Sequence, residues 1–345
     1  MLGSMLRAGT LHGEPNYMTR TPVIDCLQFA NWSEEVFREM RAGGVHAVHA
    51  TILYHGAFRE MVREIEAFNA WFEALPDLIF HGRTGDDVRR AMAEDKTSIF
   101  FGIQNPQPLE DDLGLVEIFA TLGLRFMQLT YNTQSLRGSG WQEPRDGGIT
   151  NFGREVIAEM NRVGIMIDMS HAGERTTLEA IELSARPLAV THANPRFWCD
   201  EKRNVSNDVI KALADSGGML GFSLYPHHLK GGSACSLAAF CEMAARVAER
   251  HGAHMLGIGS DLCQNRSDFW VQWMRDGRWR KVPPTTSEAA KAKFPEPTSW
   301  FSSNRDFPGI AQGLREVGFS EDDVGGIMGG NWLRFFDESF TRSTP

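Results

Sequence analysis

The 345-residue sequence is poor in the features that would place it outside ordinary globular enzymes. Its five cysteines (Cys26, Cys199, Cys235, Cys241 and Cys263) form no CxxC pair. An odd count without a framework speaks against disulfide stapling and predicts reduced thiols in a cytoplasmic compartment. No run approaches the roughly 18 consecutive apolar residues of a membrane-spanning helix, so no membrane role is expected. The first 20 residues, MLGSMLRAGTLHGEPNYMTR, lack the apolar stretch of a signal peptide. They read as a disordered or expression-derived extension, with Met18 as a candidate start. Basic charge is also short, with 35 Lys and Arg against 44 Asp and Glu, a formal net charge of -9. That balance argues against nucleic acid and anionic membrane as partners and leaves a small molecule. No GxGxxG or P-loop follows the first apolar run, which disfavours an open nucleotide-binding sheet.

What is present is alternation. Short β-rich runs occur at 22–26 (PVIDC), 45–53 (VHAVHATIL), 98–104 (SIFFGIQ), 125–131 (RFMQLTY), 165–171 (IMIDMSH), 187–193 (PLAVTHA), 219–225 (MLGFSLY) and 254–261 (HMLGIGSD). Most are continuously apolar, as parallel strands covered by helices should be. Amphipathic stretches such as SEEVFREMRAGG, TNFGREVIAEMNRVG and SNDVIKALADSGG lie between them, opening on Ser or Thr and closing on Gly. Eight such alternations predict an α/β fold, a (β/α)8 barrel, as a single domain over residues 21–345. An insertion at about 262–306, carrying four Trp and several basic residues, breaks the rhythm. Following a barrel strand, it is expected on the catalytic face as a lid or specificity loop.

Barrel active sites use the C-terminal ends of strands. Those ends carry Asp25 or Cys26, His49 or Thr51, Gln104, Tyr131, His171, His192, Tyr225 and Asp261. Two histidines on consecutive strands with an aspartate on the last suit a borderline metal and a general base. His46 and His49, three apart, should face opposite sides of their strand, so they do not form a paired site. Asp168 should by the same rule point away from His171, as a capping or supporting group. His227-His228 reads as a solvated or substrate-facing loop. Arg203 taken alone reads as a surface ion-pair residue before a capped helix.

The stretches TNFGREVIAEMNRVGIMIDMSH, THANPRFWCDEKRNVSNDVIKALADSGG, LGIGSD and LREVGFSEDDVGGIMGGNWLRFF together resemble the membrane (renal) dipeptidase family of the amidohydrolase superfamily, from about Val23 to Phe336. The resemblance implies a metal-dependent hydrolase barrel, with two zinc ions cleaving dipeptides in typical members. It implies that His171 and His192 hold the second metal, that Arg203 binds the substrate carboxylate and that Asp261 moves the proton. It also exposes departures. The first-strand His-x-Asp falls on Leu27 and Phe29, the bridging Glu on Gln104, and the carbonyl-polarising His on Tyr131. Leu and Phe cannot ligate a metal, and a neutral amide cannot offset the repulsion of two dications.

The expectation is therefore a hydrolase of a small carboxylate-bearing amide, with one divalent metal, zinc by default, held by His171, His192 and Gln104. Tyr131 and Arg203 would contact substrate and Asp261 would activate water. The alternatives are a metal-free lyase or isomerase in the same cavity, and a non-catalytic small-molecule-binding protein. The resemblance also makes a homodimer the assembly to test.

Overall fold

The computed structural model describes residues 21–268, Val271, Met274 and residues 293–342. Nine strands run in chain order: β1 (Val23–Gln28), β2 (Val45–Leu53), β3 (Ile79–Gly82), β4 (Thr97–Ile103), β5 (Leu124–Gln128), β6 (Met166–Asp168), β7 (Ala189–Val190), β8 (Met219–Phe222) and β9 (Leu256–Ile258). Every pairing is parallel, and the order β2-β1-β9-β8-β7-β6-β5-β4 closes on itself through β2–β4. The eight closing strands fall on the eight runs expected from the sequence. β3 is additional: it lies along the first half of β4, from Ile79 opposite Thr97 to Gly82 opposite Phe100, while β5 takes the second half. Its four residues include His81, so it lacked the continuous apolar signal of the others.

Five expected strands end three residues early: 125–131 stops at Gln128 and 219–225 at Phe222, and three more stop beside the site. The 165–171 run stops at Asp168, 187–193 at Val190 and 254–261 at Ile258. Beyond these points side chains take over the backbone donors: Asp168 accepts from Ser170 N and Thr191 N, and Asp25 from Ser260 N. The rim at the C-terminal ends of these strands is thus held by carboxylates where the sheet ladder gives out.

Helices α1 (Glu34–Ala42), α2 (Phe58–Ala74), α3 (Gly85–Glu94), α4 (Gly114–Leu122), α5 (Asn151–Val163), α6 (Glu174–Leu183), α7 (Asn207–Asp215) and α8 (Leu237–His251) surround the barrel, followed by α9 (Phe307–Glu316), α10 (Glu321–Gly325) and α11 (Asn331–Ser339). The expected caps form: Ser33, Thr150 and Ser206 accept from the third residue of their helices, and α5 ends on Gly164 in the left-handed region. The apolar layer between barrel and helices forms one continuous core.

A second apolar cluster fills the barrel floor, joining Ile24, Ala47, Phe100, Phe126 and Met219 to Trp332, Phe335 and Phe336 of α11. Trp332 is fully buried and donates from Nε1 to Ile258 O at 3.0 Å. It fits because β9 has Gly257 there; a Cβ at that position would lie 2.2 Å from Trp332 Nε1. Gly257→Ala should therefore cost about 1–3 kcal/mol, read as a drop in Tm, through overpacking.

β3 carries a second signature. His81 packs against Phe72 and Phe101, with ring centroids 5.7 and 4.0 Å away. Burial, helped by the Arg83 cation, lowers its pKa from 6.5 to about 4. The unfolded chain takes up that proton first, so this contribution to stability is intact above pH 6.5 and is lost as pH falls toward and through 4. Urea midpoints measured across that window should fall, and His81→Phe should flatten part of the slope; an unchanged slope would remove His81 from the account.

Candidate functional site

Asp168 organises the rim between β5 and β7. Its carboxylate accepts from Gln128 Nε2 (2.8 Å), Ser170 N (2.9 Å), Ser170 Oγ (2.7 Å), Thr191 N (3.0 Å) and Thr191 Oγ1 (2.7 Å). Because the strand ends at Asp168, the alternation used to separate it from His171 does not apply. The chain turns, with His171 in the left-handed region at φ 66°. Asp168 lies fully buried beneath the site instead of facing away from it.

Above that support, His171 and His192 meet, their Nε2 atoms 3.0 Å apart. The other ring nitrogens fix both tautomers. His171 Nδ1 lies 2.7 Å from Asn132 Oδ1. The Asn132 amide can stand only one way round, because Trp141 Nε1 donates to Oδ1 (2.8 Å) and Nδ2 donates to Met274 O (2.8 Å). His171 therefore carries its proton on Nδ1. His192 Nδ1 lies 2.8 Å from Thr191 Oγ1, whose own proton is committed to Asp168, so His192 donates there too. Both Nε2 atoms are left as lone pairs facing one another.

Two such lone pairs repel unless a cation lies between them. Burial, with the Arg203 cation next in effect, holds both imidazoles well below pKa 6.5, which disfavours a proton in that place. Two nitrogens on one tetrahedral zinc would stand about 3.3 Å apart for metal–nitrogen distances of about 2.0–2.1 Å, close to the observed separation. The pair thus fits one divalent metal. Among the described residues no three His, Cys, Asp or Glu side chains converge closely enough to form a fuller cage. The rest of a coordination shell would fall to neutral oxygen donors.

Gln104 is buried at the cavity edge, with Nε2 donating to Thr51 Oγ1 at 2.9 Å. Its amide oxygen, the atom able to ligate, is left outside that bond. Tyr131 lies beyond the end of β5 and stacks on His171, with centroids 4.4 Å apart. It also joins Phe29 and Tyr54 in an apolar cluster with Cys263 and Met274. Phe29 and Tyr54 meet edge to face at 5.1 Å, and Arg266 lies over Phe29 at 3.8 Å. Leu27 is fully buried and offers only its carbonyl, which accepts from Asp261 N at 3.0 Å.

Asp261 stands in the left-handed region at φ 57°. Burial pushes its carboxyl up to about 7 against the pull of Arg203, with Asp25 and Asp168 adding to the rise. Arg203 is buried, not the surface residue its local sequence suggested, and donates from a terminal nitrogen to His192 O at 3.0 Å. A cavity of about 510 Å³ collects Gln104, Tyr131, His171, Arg203 and Asp261 on one wall system, with Trp141, Tyr225, His228 and Met274. His192 lies fully buried behind His171. Of the expected site residues, five therefore share one cavity and the sixth backs it.

Other expectations resolve as follows. His46 accepts from Val23 N, while His49 turns to the opposite side, stacks on Phe126 at 4.0 Å and uses Nδ1 on Cys26 O at 2.8 Å. His49 does not line the cavity. Asp25 is spent on Ser260, accepting from its N and Oγ at 2.7 and 2.5 Å. The insertion reaches the cavity through Met274, but most of its centre, residues 275–292, lies outside the described residues. His227 and His228 line the cavity, as the substrate-facing reading of their loop expected, although His228 is buried and not solvated. Asn132 and Thr191 were not anticipated. Thr191 directly precedes His192 and Asn132 directly follows Tyr131, which are the only sequence signals they offered.

The family model for membrane dipeptidase (peptidase family M19) matches residues 23–269. An amidohydrolase from Pseudomonas aeruginosa is 34% identical, with a TM-score of 0.87 over 93% of this chain and 97% of its own. Dipeptidase aclJ of Aspergillus oryzae is 25% identical over 80% of this chain and 60% of its own length, and dipeptidase 3 of Rattus norvegicus 27% identical over 70% and 45%. The chain thus spans less than two thirds of these curated relatives. A metallopeptidase from Rhodobacter sphaeroides, solved with a phosphinate mimic of the dipeptide L-Ala-D-Ala, shares the fold at 18% identity and a TM-score of 0.76 over 92% of this chain and 99% of its own. The chain belongs to the membrane dipeptidase family, peptidase family M19.

The tautomer assignment makes Asn132 structurally costly to remove. Asn132→Ala should leave the Trp141 indole N–H and the His171 Nδ1–H without their acceptor, destabilising the fold by about 1–3 kcal/mol in urea titrations.

Proposed function

We propose that the protein is a hydrolase of a dipeptide or similar small carboxylate-bearing amide, working with a single divalent metal. The observation that carries this reading is the pair of Nε2 lone pairs of His171 and His192, 3.0 Å apart with both tautomers fixed from behind. The family is one of metallopeptidases, which supports a divalent metal; zinc is the default from the imidazole donors. Gln104, a neutral side chain of the same cavity whose amide oxygen is left outside its bond to Thr51, would add an oxygen. A second metal has no counterpart here, because Leu27, Phe29, Tyr54 and Tyr131 occupy the neighbouring space with apolar and aromatic groups.

Bound at that pair, a divalent metal supplies Lewis acidity to an amide carbonyl and acidifies water. The chain's own groups supply the rest. Asp261, with a carboxyl near pKa 7, can accept a proton from water and return it to the departing amine at neutral pH. Arg203 offers a fixed cation for the substrate carboxylate, and its bond to the His192 carbonyl keeps it in register with the metal-binding pair. Tyr131, kept neutral because burial raises its phenol well above 10, holds His171 by stacking and presents an uncharged wall.

The test is metal content of protein purified without added metal. About one equivalent per chain is expected, and the double variant His171→Ala, His192→Ala should lose it. Two equivalents in the wild type would overturn the single-metal assignment. Turnover that survives complete removal of metal would favour the lyase or isomerase alternative, and ligand binding without turnover the binding-protein alternative.

A further inference from the structure

The loops after β7 and β8 are locked together by two buried asparagines. Asn194 Nδ2 donates to Ser223 O (2.9 Å) and His228 O (3.1 Å), and its Oδ1 accepts from Ser223 N (3.1 Å). Asn204 Nδ2 donates to the same His228 carbonyl (3.0 Å), while its Oδ1 accepts from Asn194 N (3.0 Å). Asn194 follows His192 by two residues and Asn204 adjoins Arg203. The clamp therefore fixes where His228 stands relative to both.

The side chain of His228 is equally constrained. It is 7% exposed, and its Nδ1 lies 2.8 Å from Ser223 Oγ. That hydroxyl already accepts from Tyr225 N (3.2 Å), and its proton finds its acceptor at His228 Nδ1. The ring proton then sits on Nε2. The ring lines the same cavity as Arg203, His171 and Asp261. Burial, with the Arg203 cation next in effect, holds the imidazole neutral. Arg203 spends one of its five N–H donors on the His192 carbonyl, which fixes the guanidinium in place, and its buried Nε has no partner among the protein's own groups. A carboxylate has about four acceptor sites, more than a two-bond arginine fork fills, so a neutral donor beside the guanidinium adds to its recognition.

We infer that His228 is a substrate-binding residue, its Nε2–H completing with Arg203 a two-donor recognition site for the substrate carboxylate. This rests on the hydrolase reading above and adds a specificity determinant to it. The position is set by the asparagine clamp, so His228 acts as a rigid neutral donor while Arg203 supplies the charge.

The experiment uses the purified full-length chain and calorimetric titration with two probes, a phosphinate mimic of Ala-Ala and its C-terminal carboxamide. The wild type should prefer the carboxylate. His228→Leu should weaken carboxylate binding about tenfold or more and leave the carboxamide nearly unchanged, and His228→Gln, which keeps an N–H donor, should recover part of the loss. Equal weakening of both probes in His228→Leu, or none, would overturn the role of His228 while leaving the hydrolase reading in place. A wild type indifferent to the carboxylate would sink that reading's substrate class and this inference with it.

Discussion

The Asp168 carboxylate is the contact on which the rest of the site depends. Five hydrogen bonds reach it from β5, from the turn after β6 and from the start of the loop after β7. In one group it replaces the sheet ladder where the strands stop, directs the Thr191 hydroxyl and thereby decides which nitrogen of His192 carries the proton. Buried carboxylates are expensive to desolvate, and the five donors offset that cost. Asp25 does the same work at the β1–β9 seam through Ser260, which brings Asp261 against the Leu27 carbonyl. Two carboxylates inside the barrel mouth thus hold the side chains that face the cavity.

Against that polar support, the side of the mouth formed by β1 has become apolar. Phe29, Tyr54 and Tyr131 pack as a cluster where charged ligands would otherwise be expected, and Tyr131 extends the cluster onto the His171 ring. The histidine pair is consequently flanked by aromatic surface on one side and by Arg203 on the other. Low polarity beside the pair strengthens the electrostatic interactions made there and excludes water from part of the cavity. Left-handed backbone recurs in the same place: His171, Asp261 and Asn132 all adopt it, and they are of the non-glycine types found there most often.

Much of this was legible in the sequence, and what was not has physical reasons. The eight barrel strands stood out because parallel strands buried on both faces read as apolar runs. β3 did not, because a four-residue strand outside the closed ring needs no such run. His171, His192 and Asp261 came from strand-end position and family motif together, and Arg203 from the motif alone. The local sequence of Arg203 misled, since it cannot show that a loop folds inward over it. Asp168 was misplaced because strand alternation was carried past the residue where the strand ends. Asn132 orients His171 through an amide fixed by Trp141 and Met274, and such contacts between distant segments leave no periodicity to read.

The Trp332 plug bears on how the molecule is made. The barrel floor is closed by a residue more than 300 positions after the first strand, and Trp332 reaches the Ile258 carbonyl only once α11 has emerged. During synthesis the eight strands can be complete while the floor is still open and Gly257 and Gly221 face an unfilled gap. Closure of the floor and ordering of the mouth are then separate events, the first waiting on the ribosome and the second on two buried carboxylates.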